Sequence, residues 1–322
     1  MSRKMGFGAR WAKGAFCAVA CSLLFLASWS EAAVTTNRLA QNRLAQNRLA
    51  QNRLAQNRLA QNRLAQNRLA QNRLASNGLA QDPLPPTRLE ADPASAEMLS
   101  TPDGREVFSY LVECALPEAL TIEAVVPGAA DTAPPETLYT CESELCTFQG
   151  SIGLARHWAE RRLDPKGQRW VSACMLARVN AYEISETISL RGAAPELTLG
   201  LDEARSFGVQ EGAFFGNLFT DADGPIDWNA CRGSGQASAE FGGLSLRDCT
   251  EPDPADPTHT LCGFNFAGDC ADFSNLFPAP YVCGTFDAVD GAYGECHPGE
   301  GNGHWPGLKT YREIITTYVA AE

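Results

Sequence analysis

The sequence predicts an α+β fold: a single disulfide-stabilised domain with a loop-rich C-terminal part, preceded by a low-complexity repeat tether. Three observations lead there. Two stretches of helical apolar period lie among several of strand period, without the repeated βαβ alternation of a parallel α/β sheet. Ten cysteines fall after the first 32 residues, an even number that reads as five crosslinks. One five-residue phrase, Asn-Arg-Leu-Ala-Gln, recurs from residue 37 to 81 in nine units, the last two altered at Ser76 and Gly78.

Residues 1–32 have the composition of an export signal. Arg3, Lys4, Arg10 and Lys13 form a basic start, Ala15 to Ala27 is an apolar run too short to span a bilayer, and Ser30-Glu31-Ala32 offers small residues at −3 and −1. Cleavage is expected after Ala32, which removes Cys17 and Cys21. No later stretch is long and apolar enough for a membrane helix, so an exported protein of the periplasm or the extracellular space is expected.

The array at 33–81 fits no ordinary buried element. On a helix a five-residue step turns the wheel by roughly 140° beyond one full turn, so Leu39, Leu44 and Leu49 spiral instead of forming a stripe. On a strand the odd period sends successive leucines to opposite faces. Only the period resembles pentapeptide-repeat proteins, whose inward-facing position holds small residues where this array has Asn37 and its equivalents. The array is therefore read as a polar tether. Residues 82–95, with four prolines, are read as a linker, and 96–322 as the folded domain.

Charge divides the chain in the same place. The array carries eight arginines and no acid, whereas residues 82–322 carry 14 basic and 37 acidic side chains, a net charge of −23. A basic array on an exported chain points to anionic surface glycan or lipid as partner ahead of nucleic acid. Folding back on the acidic domain, or simple solvation, is the competing expectation.

Within the domain, Asp103 with Glu106 has the spacing of a capping box, and Val107, Phe108, Leu111, Val112 and Ala115 share one helical face before Pro117. Leu120, Ile122, Ala124 and Val126 alternate as a strand, and Tyr139 to Gln149 reads as a second strand or hairpin arm. Asp164-Pro165 starts a helix that places Trp170, Val171, Cys174 and Ala177 on its core face, which allows Cys114 and Cys174 to bridge the two helices. Ile184 to Arg191 alternates again. Phe214, Phe215, Leu218 and Phe219 form an apolar turn-and-strand cluster. Residues 220–307 read as loops, and the β-branched run Ile314 to Val319 as a closing strand.

The ten cysteines are Cys114, Cys141, Cys146, Cys174, Cys231, Cys249, Cys262, Cys270, Cys283 and Cys296. Six of them lie between 231 and 296, in Gly-, Pro- and Asp-rich sequence that could hardly hold a fold without crosslinks. Sequence does not determine the pairing; a bond between near neighbours such as Cys262 and Cys270 is the expectation. No CxxC pair favours zinc and no CxxCH favours haem.

The phrases YLVECALP (110–117), GSIGLARHW (150–158), RWVSACMLARVNAY (169–182), EGAFFGNLF (211–219) and CGFNFAGDC (262–270) resemble those of exported, cysteine-rich bacterial proteins without an assigned activity. The resemblance implies a shared fold and export and brings no catalytic residues.

Standard nucleophile, P-loop and zincin signatures are absent. Asp221, Asp223 and Asp227 alternate around Gly224 as oxygen ligands of Ca²⁺ would, although the glycine is fourth rather than sixth and no Glu stands at position twelve; an Asp/Gly/Pro turn explains them equally. His297, Glu300 and His304 offer two imidazoles and a carboxylate for a catalytic metal, in a glycine-rich stretch that also reads as a surface loop. His157-Trp158 followed by Arg161-Arg162 is a further pocket candidate. Two functions follow: a non-enzymatic binding or structural protein of the envelope, or a secreted metal-dependent hydrolase.

Overall fold

A computed structural model describes residues 33–36, 80, 84, 93–129, 139–179, 187–219, 227–237, 249–271, 281–298 and 309–320. The fold is α+β, and five disulfides join all ten of these cysteines. Among the described residues no helix is long and apolar enough to cross a membrane.

Strand β1 (Ala33–Thr36) comes first, followed by helices α1 (Pro93–Ser100) and α2 (Pro102–Ala115). Thr101, not Asp103, caps α2: its hydroxyl accepts from Gly104 N at 3.0 Å, and Pro102 takes the first turn, where no N–H is needed. The turn between α1 and α2 is tight enough that a Cβ on Gly104 would lie 1.8 Å from the Met98 carbonyl oxygen. Strands β2 (Thr121–Val125), β3 (Tyr139–Glu142) and β4 (Leu145–Gln149) make an antiparallel sheet in the order β2-β4-β3, with Cys141–Cys146 clasping the hairpin. A 3-10 turn (Arg156–Ala159) leads to α3 (Pro165–Ala177), capped by Asp164, which accepts from Gly167 N at 2.7 Å.

The remaining strands are β5 (Thr187–Arg191), β6 (Val209–Gly216), β7 (Trp228–Arg232), β8 (Pro252–Asp253), β9 (Asp256–Thr260), β10 (Asn265–Asp269), β11 (Phe286–Asp287), β12 (Ala292–Tyr293) and β13 (Ile315–Val319). Short helices α4 (Leu201–Ser206) and α5 (Ser234–Ala237) precede β6 and follow β7 in sequence. Eight strands form one sheet, ordered β1-β5-β13-β6-β7-β10-β9-β8, antiparallel except for β7 beside β10.

The region expected to be loops, 220–307, therefore supplies β7, β8, β9 and β10 to the main sheet. These strands are two to five residues long and interrupted by Asn, Asp, Gly or Pro, so no alternation announces them; pairing and crosslinks hold them there. Cys262 bonds to Cys249, and Cys270 reaches back 39 residues to Cys231, because β10 lies parallel beside β7. The expected Cys262–Cys270 bond does not form.

Both faces of the sheet are covered, so β6 is buried along its whole length. On one side Phe214 and Ile315 pack with α3, which is crosslinked to α2 by Cys114–Cys174; α2 in turn rests on the three-stranded sheet through Phe108 against Phe148. On the other side lies a second cluster of eleven buried residues, of which four are cysteines (Cys231, Cys270, Cys283 and Cys296). Sulfur takes the space that aliphatic carbon fills in an ordinary core. Burial of both faces also accounts for Ser189, which lies inside and accepts from Arg191 Nε at 2.9 Å.

The core reaches further upstream than residue 96. Ala80 and Leu84 are buried in it, the Ala80 carbonyl accepting from Leu163 N at 2.8 Å and Leu84 N donating to the Trp158 carbonyl at 2.9 Å. Strand β1 pairs with β5 at the sheet edge, so residues 33–36 also belong to the fold.

Candidate functional site

Asp227, immediately before β7, is a junction of hydrogen bonds. Its Oδ2 lies 2.6 Å from Lys309 Nζ, and its Oδ1 accepts from the Tyr311 hydroxyl and, at 3.3 Å, from Asn229 Nδ2. Burial pushes the Tyr311 phenol far above its ordinary range, and the Asp227 carboxylate beside it adds to the shift. Tyr311 is therefore a fixed donor over the whole working pH range. Its backbone exchanges hydrogen bonds with Cys296, Tyr311 N donating at 2.8 Å and Cys296 N donating at 2.9 Å, while Thr310 Oγ1 sits 3.3 Å from His297 Nδ1.

This junction gathers parts of both metal patterns seen in the sequence. Asp227 closes the first and His297 opens the second, and Lys309 and Tyr311 link their two stems. Asp221, Asp223, Glu300 and His304 lie outside the described residues. Lys309 and Tyr311 were invisible as partners of Asp227 because 82 and 84 residues separate them from it.

A second feature is an open cleft of about 260 Å³ between the 3-10 turn, the start of α3 and residues 193–196. His157 and Asp164 stand on one side, Nε2 to Oδ2 3.5 Å apart, with Trp170 at the wall and Lys166 and Glu196 bringing opposite charges. Gly167 makes room for Leu163: a Cβ there would come within 2.6 Å of Leu163 Cδ1, while the imidazole, with Cε1 3.4 Å from that position, would be in ordinary contact. The cleft offers an aromatic edge, one imidazole and groups of both charges, which suits a small polar ligand. Of the residues that nominated this stretch, only His157 lines it; Trp158 is wholly buried against Phe219, and Arg161 and Arg162 are exposed. Asp164 was legible as a helix cap, but the opposite wall comes from residues 30 or so further along and carries no local signal.

Among the described residues, one group of three metal-ligand atoms falls within 4.8 Å: the Sγ atoms of Cys231, Cys283 and Cys296, all in disulfides.

No protein-family model, curated protein or solved structure matches this chain.

Proposed function

We propose that the chain is an exported, non-enzymatic binding or structural protein of the cell envelope or extracellular space, whose Arg-bearing array engages anionic surface glycan or lipid. The observation that carries this reading is the complete pairing of the ten cysteines after residue 32, a pattern that persists in oxidising compartments. The basic start and apolar run at 1–32 support export, and eight arginines beside a domain of net charge −23 support a polyanionic partner. At the Asp227 junction, Asp227, Lys309 and Tyr311 are engaged with one another, which suits a structural role there.

Binding to heparin or to phosphatidylglycerol vesicles is expected at low salt and lost near 1 M salt, where the screening length is only about 3 Å. It should vanish on deletion of 37–79, which leaves β1 and Ala80 in place. Equal binding by the truncated protein would remove the array's role. The hydrolase reading, with Ca²⁺ at Asp221, Asp223 and Asp227, replaces this proposal if purified protein holds stoichiometric zinc, iron or manganese that His297→Ala plus His304→Ala abolishes.

A further inference from the structure

Two crosslinks touch in the second core. Cys231–Cys270 ties β7 to the end of β10, and Cys283–Cys296 closes a 13-residue separation that carries the β11–β12 hairpin. The Sγ of Cys231 lies 3.5 Å from the Sγ of Cys283, close to sulfur–sulfur contact. All four residues are buried, and backbone hydrogen bonds fix the segments that bear them: Cys270 N donates to the Arg232 carbonyl at 2.9 Å, and Cys283 N to the Cys270 carbonyl at 3.0 Å.

We propose that these four sulfurs form a thiol–disulfide exchange centre, in which Cys283 is the attacking sulfur and Cys231 the acceptor. A dithiol donor reduces Cys283–Cys296 and leaves as its own disulfide. The Cys283 thiolate then attacks Cys231 Sγ, the Cys231–Cys283 bond forms as Cys231–Cys270 breaks, and Cys270 departs as a thiolate that takes up the proton Cys283 gave up. Two thiols stand before the attack and two after it, so exchange itself needs no further oxidant or reductant. Any external disulfide can afterwards join Cys270 to Cys296.

The exchange has a structural result. Native pairing clamps β7 to β10, the parallel neighbour through which β9 and β8 join the sheet. After exchange β7 is clamped to the 281–283 segment instead, and the β8–β10 edge is held without a disulfide to β7, by hydrogen bonds, the Arg232 ion pairs to Asp269 and Glu251, the packing of Phe264 on Phe214 and its own Cys249–Cys262 crosslink. The reductant this centre takes is a dithiol, and because Cys283 and Cys296 are buried, the segment between them must open to admit it. The 3.5 Å approach of Cys231 and Cys283 permits this exchange whether or not the array binds polyanions.

Two experiments test it. In the C270S/C296S variant each crosslink loses one member, and oxidation by air is expected to produce a Cys231–Cys283 bond in most molecules. Peptide mass mapping would show the pair two hydrogens lighter than the free thiols. In the wild-type protein, dithiothreitol is added until alkylation first labels a cysteine of this quartet, and the peptides are then mapped. Expected is a Cys231–Cys283 crosslink with Cys270 and Cys296 alkylated. Free Cys231 and Cys283 in the variant, or wild-type material holding only native crosslinks and alkylated native partners, would overturn the proposal.

Discussion

Replacing Cys114 and Cys174 together by alanine should lower the unfolding free energy by about 4 kcal/mol, the chain-entropy value for a crosslink spanning a 60-residue separation. The position of this bond makes its loss severe. It joins α2 to α3, and α3 is the element laid across β6 and β13, so the bond ties the three-stranded sheet and its helix to the main sheet. Both sulfurs are fully buried, and truncation to alanine leaves a cavity as well as a longer free chain. Urea unfolding followed by far-UV circular dichroism would give the difference directly. A loss below 1 kcal/mol would mean that packing alone holds the helix pair.

The same pair of helices carries the second large effect. Arg178, wholly buried at the end of α3, forms an ion pair with Glu113 of α2, and its guanidinium lies 4.3 Å from the centre of the Tyr110 ring. Burial holds the Glu113 carboxyl above its ordinary range, and the Arg178 charge and hydrogen bond pull it part of the way back. Removing the cation as Arg178→Met leaves an uncompensated buried carboxylate, which should cost roughly 3–5 kcal/mol at neutral pH.

The sign of the pH effect follows from the raised folded-state pKa. Such a group stabilises the fold below its unfolded value and loses that stabilisation as pH climbs through the folded value. Without Arg178 the folded value rises further, so the defect of Arg178→Met relative to wild type should be greatest near pH 7 and shrink as Glu113 is protonated in acid. Adding Glu113→Gln should recover most of the loss, since neither charge then stays buried. A defect independent of pH, or a double variant as unstable as the single, would show that Arg178 acts through volume alone. The residues adjoin the Cys114–Cys174 bond, so this loss and the previous one are not expected to add.

Much of the helical layer was legible in the sequence because its signals are local. Asp164-Pro165 marks the start of α3, the apolar face Val107 to Ala115 marks α2, alternation marks β2, and the β-branched run Ile314 to Val319 marks β13. The cap of α2 was misplaced by two residues, since Thr101 before Pro102 competes with Asp103 and wins by leaving the proline in the first turn. The sheet order could not be read. β13, the last strand, sits between β5 and β6, and β10 pairs parallel to β7, arrangements that depend on contacts far apart in sequence.

Candidate residues divide along the same line. His157, Asp227 and His297 each carried a local chemical signal. What they meet (Glu196 across the cleft, Lys309 and Tyr311 at the Asp227 junction, Thr310 at His297) arrives from other segments. The contact between two disulfides had no sequence signature at all, because ten cysteines admit many pairings and the spacing favoured the wrong neighbour.

Sulfur is the internal frame of the second core. The direct measurement is alkylation of the natively produced protein under denaturing, non-reducing conditions, followed by peptide mapping. The prediction is no alkylated cysteine after residue 32 and five crosslinked pairs: 114–174, 141–146, 231–270, 249–262 and 283–296. Alkylation of most of the ten thiols would contradict it, and the proposed export and the exchange centre would fall with it.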